Sequence, residues 1–145
     1  MRVALMLLSL LSLPVLAAVQ VIDPYVRVLP PGSPNTAAFM QLTNAGTNEL
    51  ALVAVETEIA ARAELHTHQL VDGVAQMRQV AEIALPAGQM VSLQPGGLHI
   101  MLLDLKAPLK ADESVALTLV FSDGSRQPVT AIARELVASK AHHHH

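Results

Sequence analysis

Leu98-His99-Ile100-Met101-Leu102-Leu103 sets a histidine and a methionine among large aliphatic residues. Successive side chains of a strand point to opposite faces. The stretch therefore reads as a strand with Leu98, Ile100 and Leu102 on one face and His99 and Met101 on the other. Pro95-Gly96-Gly97 before it marks a turn. Ala63-Glu64-Leu65-His66-Thr67-His68 has the same phase, with Leu65 pointing one way and His66 and His68 the other. Working outward, turn residues recur at Pro30-Pro31-Gly32, Asn44-Ala45-Gly46, Asp72-Gly73, Pro86-Ala87-Gly88 and Asp123-Gly124. The apolar runs between them predict strands over Val19–Val28, Thr36–Thr43, Glu49–Glu58, Ala63–His68, Val74–Val80, Gln89–Leu93, His99–Leu103, Ser114–Phe121 and Pro128–Leu136. Many short strands at regular spacing are the pattern of an all-β sandwich or barrel. Leu52–Ala63, rich in Ala and Glu, has a helical alternative, but Val53, Val55 and Thr57 favour strand.

The flanks read differently. Met1–Ala18 gives Arg2, an apolar run over Val3–Leu16, then Ala17-Ala18. That is the order of a secretory signal peptide, spanning residues 1–18. The run is shorter than the roughly 20 residues that cross a bilayer; an uncleaved anchor is the alternative. The chain ends His142-His143-His144-His145, which reads as a purification-tag remnant, with a native metal-catching tail as the alternative. Residues 19–141 fit one domain, since domains commonly run about 100–150 residues. The expectation is an exported, periplasmic monomer whose mature domain is not embedded in the membrane.

Composition excludes several classes. The net charge is −3 and no basic run exists, which disfavours nucleic-acid binding. The absence of Cys removes disulfides, zinc ribbons, iron–sulfur ligation, thiol redox chemistry and a Cys-ligated copper site.

Three His precede the terminal run: His66, His68 and His99. His66 and His68 pair at i, i+2, as do His99 and Met101, and Met77 lies between the two segments. Imidazole suits copper, and thioether is a soft, neutral donor. A mixed nitrogen and sulfur set without thiolate favours Cu(I) over zinc, calcium or magnesium. Pattern alone leaves open two solvent-facing imidazoles at His66 and His68, and methionines that only fill gaps, the reading given to Met40 and Met90.

The spacing His66, ten residues, Met77, twenty-one residues, His99, one residue, Met101 resembles the H-x10-M-x21-H-x-M pattern of the periplasmic copper(I) chaperones called the PCuAC family. Glu64-Leu65-His66, Ile83-Ala84-Leu85-Pro86-Ala87-Gly88 and Pro95-Gly96-Gly97-Leu98-His99-Ile100-Met101-Leu102 also resemble segments of that family, and the likeness covers most of Val21–Ile132. The resemblance implies a cupredoxin-like Greek-key β-barrel or sandwich that holds one Cu(I) through His66, Met77, His99 and Met101. It implies delivery toward cytochrome c oxidase subunit II, directly or through a Sco-type thioredoxin-like protein. The family often has Met where this chain has His68, so His68 is a possible extra ligand. It also usually reads Gly-Val-Met where this chain has Gly73-Val74-Ala75. Cu(II) at secondary His sites, including the terminal run, is a further expectation.

Other classes fit less well. An N-terminal-His copper monooxygenase needs a His at the mature terminus, which would here be Ala18 or Val19. A blue-copper protein needs a Cys. Ser92, Ser114, Ser122 and Ser125 lack a nucleophile-elbow context, so no enzyme is expected. A periplasmic copper buffer and a metal-free protein-binding β-sandwich remain the alternatives to a chaperone.

Overall fold

The computed structural model describes residues 18–136. The expected signal peptide (apart from Ala18) and the terminal His run lie outside the described residues. Those described form ten strands and no helix: β1 Val19–Val28, β2 Thr36–Asn44, β3 Leu50–Glu56, β4 Ala60–Val71, β5 Val74–Gln79, β6 Ile83–Leu85, β7 Met90–Leu93, β8 His99–Leu105, β9 Ser114–Phe121 and β10 Arg126–Glu135. The helical alternative over Leu52–Ala63 gives way to β3 and β4. Both pack apolar residues against the core, and that packing overrides the helix preference of Ala and Glu.

Alternation builds the elements. In β9, Val115, Leu117, Leu119 and Phe121 are buried while Ser114 and Ala116 are exposed. In β8, Ile100 and Leu102 are fully buried. The strand order is β5-β4-β8-β2-β1-β10-β9-β3-β6, with β7 also on β2. β1 and β10 run parallel, and the remaining ladders are antiparallel. Along one edge of β2, Thr36–Ala38 pair with β8 and Met40–Thr43 with β7. A single apolar cluster contains Leu65 of β4 near one end of this order and Leu85 of β6 at the other. A flat sheet could not bring both into one core, so the sheet folds over on itself as a sandwich.

Two local devices set the register. Asp72 and Gly73 both have positive φ, 51° and 77°, and join β4 to β5 as a two-residue hairpin with Val71 opposite Val74. Positive φ at both loop positions is what a type I′ turn requires, and Asp-Gly suits it. In β1 the register with β2 shifts between Ile22 and Tyr25. The bulge carries Asp23 at φ 48°, whose carboxylate accepts from Arg134 at 2.9 Å. The Arg134 guanidinium also lies over the Tyr25 ring, 4.6 Å from its centroid.

Candidate metal centre

β4, β5 and β8 lie side by side at one end of the sheet. Across the β4–β8 ladder His66 is opposite His99, and Glu64 opposite Met101. Across the β4–β5 ladder His68 is opposite Met77. Residues directly opposite in an antiparallel pair share a face. Glu64, His66, His68, Met77, His99 and Met101 therefore project together, while Leu65, Ile100 and Leu102 enter the core on the other side. The four expected ligands His66, Met77, His99 and Met101, and the possible extra His68, are brought to one face.

His99 is the most enclosed of them, at 3% exposure. Its ring centroid lies 5.7 Å from that of His66, 5.3 Å from that of His68 and 6.3 Å from that of the buried Phe39. Its Nδ1–H donates to the Gly97 carbonyl at 2.9 Å, which leaves the lone pair on Nε2. Burial pushes the His99 pKa below its ordinary value. The Gly97 hydrogen bond opposes that shift, and the neighbouring His68 and His66 add to it. The result is a neutral imidazole, the protonation state a metal ligand needs.

His66 gives Nε2–H to Glu64 Oε2 at 2.9 Å. An ionised carboxylate only accepts, so the proton sits on Nε2 and the lone pair on Nδ1. That Nδ1 atom, like Nδ1 of His68, is shielded from solvent and has no hydrogen-bond partner among the described residues. Leaving a buried polar atom unpaired costs about 1–3 kcal/mol. Glu64 also takes a contact from Arg62 at 3.3 Å, and Arg62 reaches Asp104 at 3.7 Å.

Met77 stands 46% exposed on the edge strand β5, and Met101 is half-buried. Phe39, His68, Met77, His99 and Met101 line one cleft of about 240 Å³. His66 lies on the same face but outside that lining. Among the described residues no three His, Cys, Asp or Glu side chains group as a metal site by themselves. Imidazole and thioether together are what the face offers, a neutral and soft donor set suited to Cu(I).

Met40 is buried in the core, as a gap-filler should be. Met90 is not, standing 56% exposed at the first position of β7. Glu64, Gly97 and Phe39 are contributors that the sequence reading did not assign. Glu64 had a visible signal, its i−2 position to His66 on a strand, but its partner could not be read from spacing. Ser122 Oγ accepts from the Ala51 amide, and Ser125 Oγ donates to Asp123 Oδ1.

Residues 19–133 match the model of a family described as "Putative lipoprotein LpqE-like". The putative lipoprotein Lxx21020 of Leifsonia xyli subsp. xyli is 37% identical over 118 residues, covering 81% of this chain and 70% of that protein. Among solved structures, the apo PCuAC domain of PmoF1 is similar with a TM-score of 0.71 at 26% identity, over 83% of this chain and 96% of that one. Apo-DR1885 from Deinococcus radiodurans gives 0.65 at 32% identity, over 94% of this chain and 93% of that one. Its Cu(I) form gives 0.64 at 35% identity, over 77% of this chain and 75% of that one. The fold is the all-strand, cupredoxin-like architecture of PCuAC domains.

Proposed function

The chain belongs to the LpqE-like family of putative lipoproteins, and from that premise we propose that it is an exported copper-binding protein of the cell envelope that carries one Cu(I) and hands it on. The carrying observation is that two imidazoles with free lone pairs and two thioethers share one face. His66 faces His99 across a ladder, and Met77 and Met101 flank them. The likeness to a protein solved in a Cu(I) form, at 35% identity, supports the same reading.

The ligand set of this proposal is His66, Met77, His99 and Met101. All four donors are neutral, so the complex gains one positive charge and avoids the very tight hold of thiolate. Met77 sits on an exposed edge strand. An incoming acceptor ligand can therefore reach the ion before the last donor leaves, and the ion passes through shared coordination. A thiolate acceptor supplies the driving force, because sulfur anions hold Cu(I) more tightly than thioethers do. The acceptor of this proposal is the copper centre of cytochrome c oxidase subunit II, reached directly or through a Sco-type protein, in the periplasm. The protein acts as a carrier and not as an enzyme.

The test is an anaerobic Cu(I) titration against a chromophoric chelator. The protein carries alanine at His142, His143, His144 and His145 so that the terminal run contributes nothing. One tight equivalent is expected, lost or weakened at least tenfold in His99→Ala and in Met101→Ala. Failure to bind, or unchanged binding in both variants, overturns the reading.

A further inference from the structure

We infer that His68 is a donor to the ion in this cleft, acting beside His99, Met77 and Met101. The inference rests on the copper reading above and extends it to a side chain outside the proposed set of four.

Position comes first. His68 lines the cleft together with Met77, His99 and Met101. It is the direct cross-strand partner of Met77, so an imidazole and a thioether stand side by side at the exposed edge. Its ring centroid is 5.3 Å from that of His99, against 5.7 Å for His66. Imidazole nitrogens bind such ions at about 2.0–2.1 Å, so two rings sharing one ion have centroids roughly 5–6 Å apart. Both pairs meet that requirement, and the His68 pair is the one inside the cleft.

Hydrogen bonding is the second observation. Buried side-chain nitrogen and oxygen atoms nearly always find a partner. Among the described residues, those without one are Nδ1 of His66 and Nδ1 of His68. A ring that merely filled space would turn that nitrogen to water or to a carbonyl. Both unpaired atoms belong to rings next to His99, whose own Nδ1 is satisfied by Gly97. The two flanking imidazoles thus each keep a ring nitrogen uncommitted beside His99. His66 has Glu64 to fix its ring. His68 has no side-chain hydrogen bond among the described residues, so neither ring nitrogen is committed to a protein group. Imidazole is a harder donor than thioether, and His68 accordingly adds a preference for Cu(II) that a thioether in its place would not.

The test uses the protein with alanines at His142 to His145 and compares His68→Ala and His68→Met with the parent. His68→Ala is expected to lower Cu(I) affinity at least tenfold. His68→Met is expected to restore Cu(I) affinity, while its Cu(II) affinity, read by electron paramagnetic resonance, falls at least tenfold below the parent's. In the parent, the ring-nitrogen NMR signal of His68 should shift on adding one equivalent of Cu(I). A folded His68→Ala protein with parental Cu(I) affinity overturns the inference, as does an unmoved His68 signal. If the parent binds no Cu(I), the copper reading itself falls and takes this inference with it. If the parent binds and His99→Ala abolishes binding while His68→Ala changes nothing, only the inference about His68 falls.

Discussion

His66 and His99 face each other across the β4–β8 ladder, and each gives one ring N–H to the protein at 2.9 Å, His66 to Glu64 Oε2 and His99 to the Gly97 carbonyl. The two bonds fix both tautomers and both ring orientations while leaving one nitrogen of each ring uncommitted. An ion arriving there finds donors already aimed, so little ordering entropy is lost on binding.

Glu64 is therefore expected to matter for affinity without touching the ion. Partners that orient a metal-binding His typically contribute about 10–100-fold in affinity. Glu64 is partly exposed and shared with Arg62, which favours the lower end of that range. Glu64→Ala should weaken Cu(I) binding by about tenfold, and Glu64→Gln, which keeps an acceptor oxygen, by less. Competition against a chelator reads both. Identical affinity in Glu64→Ala would show that His66 needs no support.

Acidification should destabilise the copper-free protein through His99. Its folded-state pKa lies below the ordinary value of 6.5, chiefly because the ring is buried. Below 6.5 the unfolded chain therefore binds a proton that the folded chain refuses, and stability drops as pH falls through that range. Above 6.5 both states are neutral and this contribution is absent. The urea midpoint should be lower at pH 5.5 than at pH 7.5, and the gap should narrow in His99→Gln. Equal midpoints at the two pH values would rule out a buried His99. Cu(I) affinity should decline over the same range, since protons compete for the ligating nitrogens.

Parity along the chain made the face legible. Leu98–Leu103 and Ala63–His68 each announce which residues go inward, and the strands obey. Met77 joins the His residues only through hairpin register, and Asp72-Gly73 supplies it by accepting positive φ at both loop positions. Other features depend on contacts that no local pattern encodes. β6 is three residues long, too short to show a period, and exists because β3 pairs with it and Asn44 binds its end. Met40 and Met90 are the same residue type in similar surroundings of sequence, yet one is core and the other surface, because only tertiary packing covers Met40.

The core face of β8 should be separable from its metal face. Leu102 is fully buried, two positions from Ile100 and on the side away from His99 and Met101. Leu102→Ala removes buried methyl groups and leaves a cavity, a change that costs about 2–5 kcal/mol. Denaturant unfolding should show that loss, while the folded fraction still binds one Cu(I). Loss of copper stoichiometry without loss of stability would contradict the assignment of the two faces.

Asn44 carries the last prediction, because one buried side chain there ties three segments together. Its Nδ2 donates to the Asn48 and Leu85 carbonyls, each at 2.8 Å, and its Oδ1 accepts from the Gly46 amide at 3.0 Å. Its backbone adds bonds with Gln89 and Gly88. Asn44→Ala strands the buried Leu85 carbonyl, at about 1–3 kcal/mol for a buried group left unpaired, and frees the carbonyl of the exposed Asn48 to water. Asn44→Asp keeps the size and the bond to Gly46, but replaces both donations with an oxygen facing a carbonyl oxygen. It should therefore be at least as damaging near neutral pH. Because β6 hangs on this side chain, amide exchange of Ile83–Leu85 should accelerate more than that of β9 in both variants. Uniform acceleration across the sheet would mean that Asn44 supports the whole core and not the β6 edge.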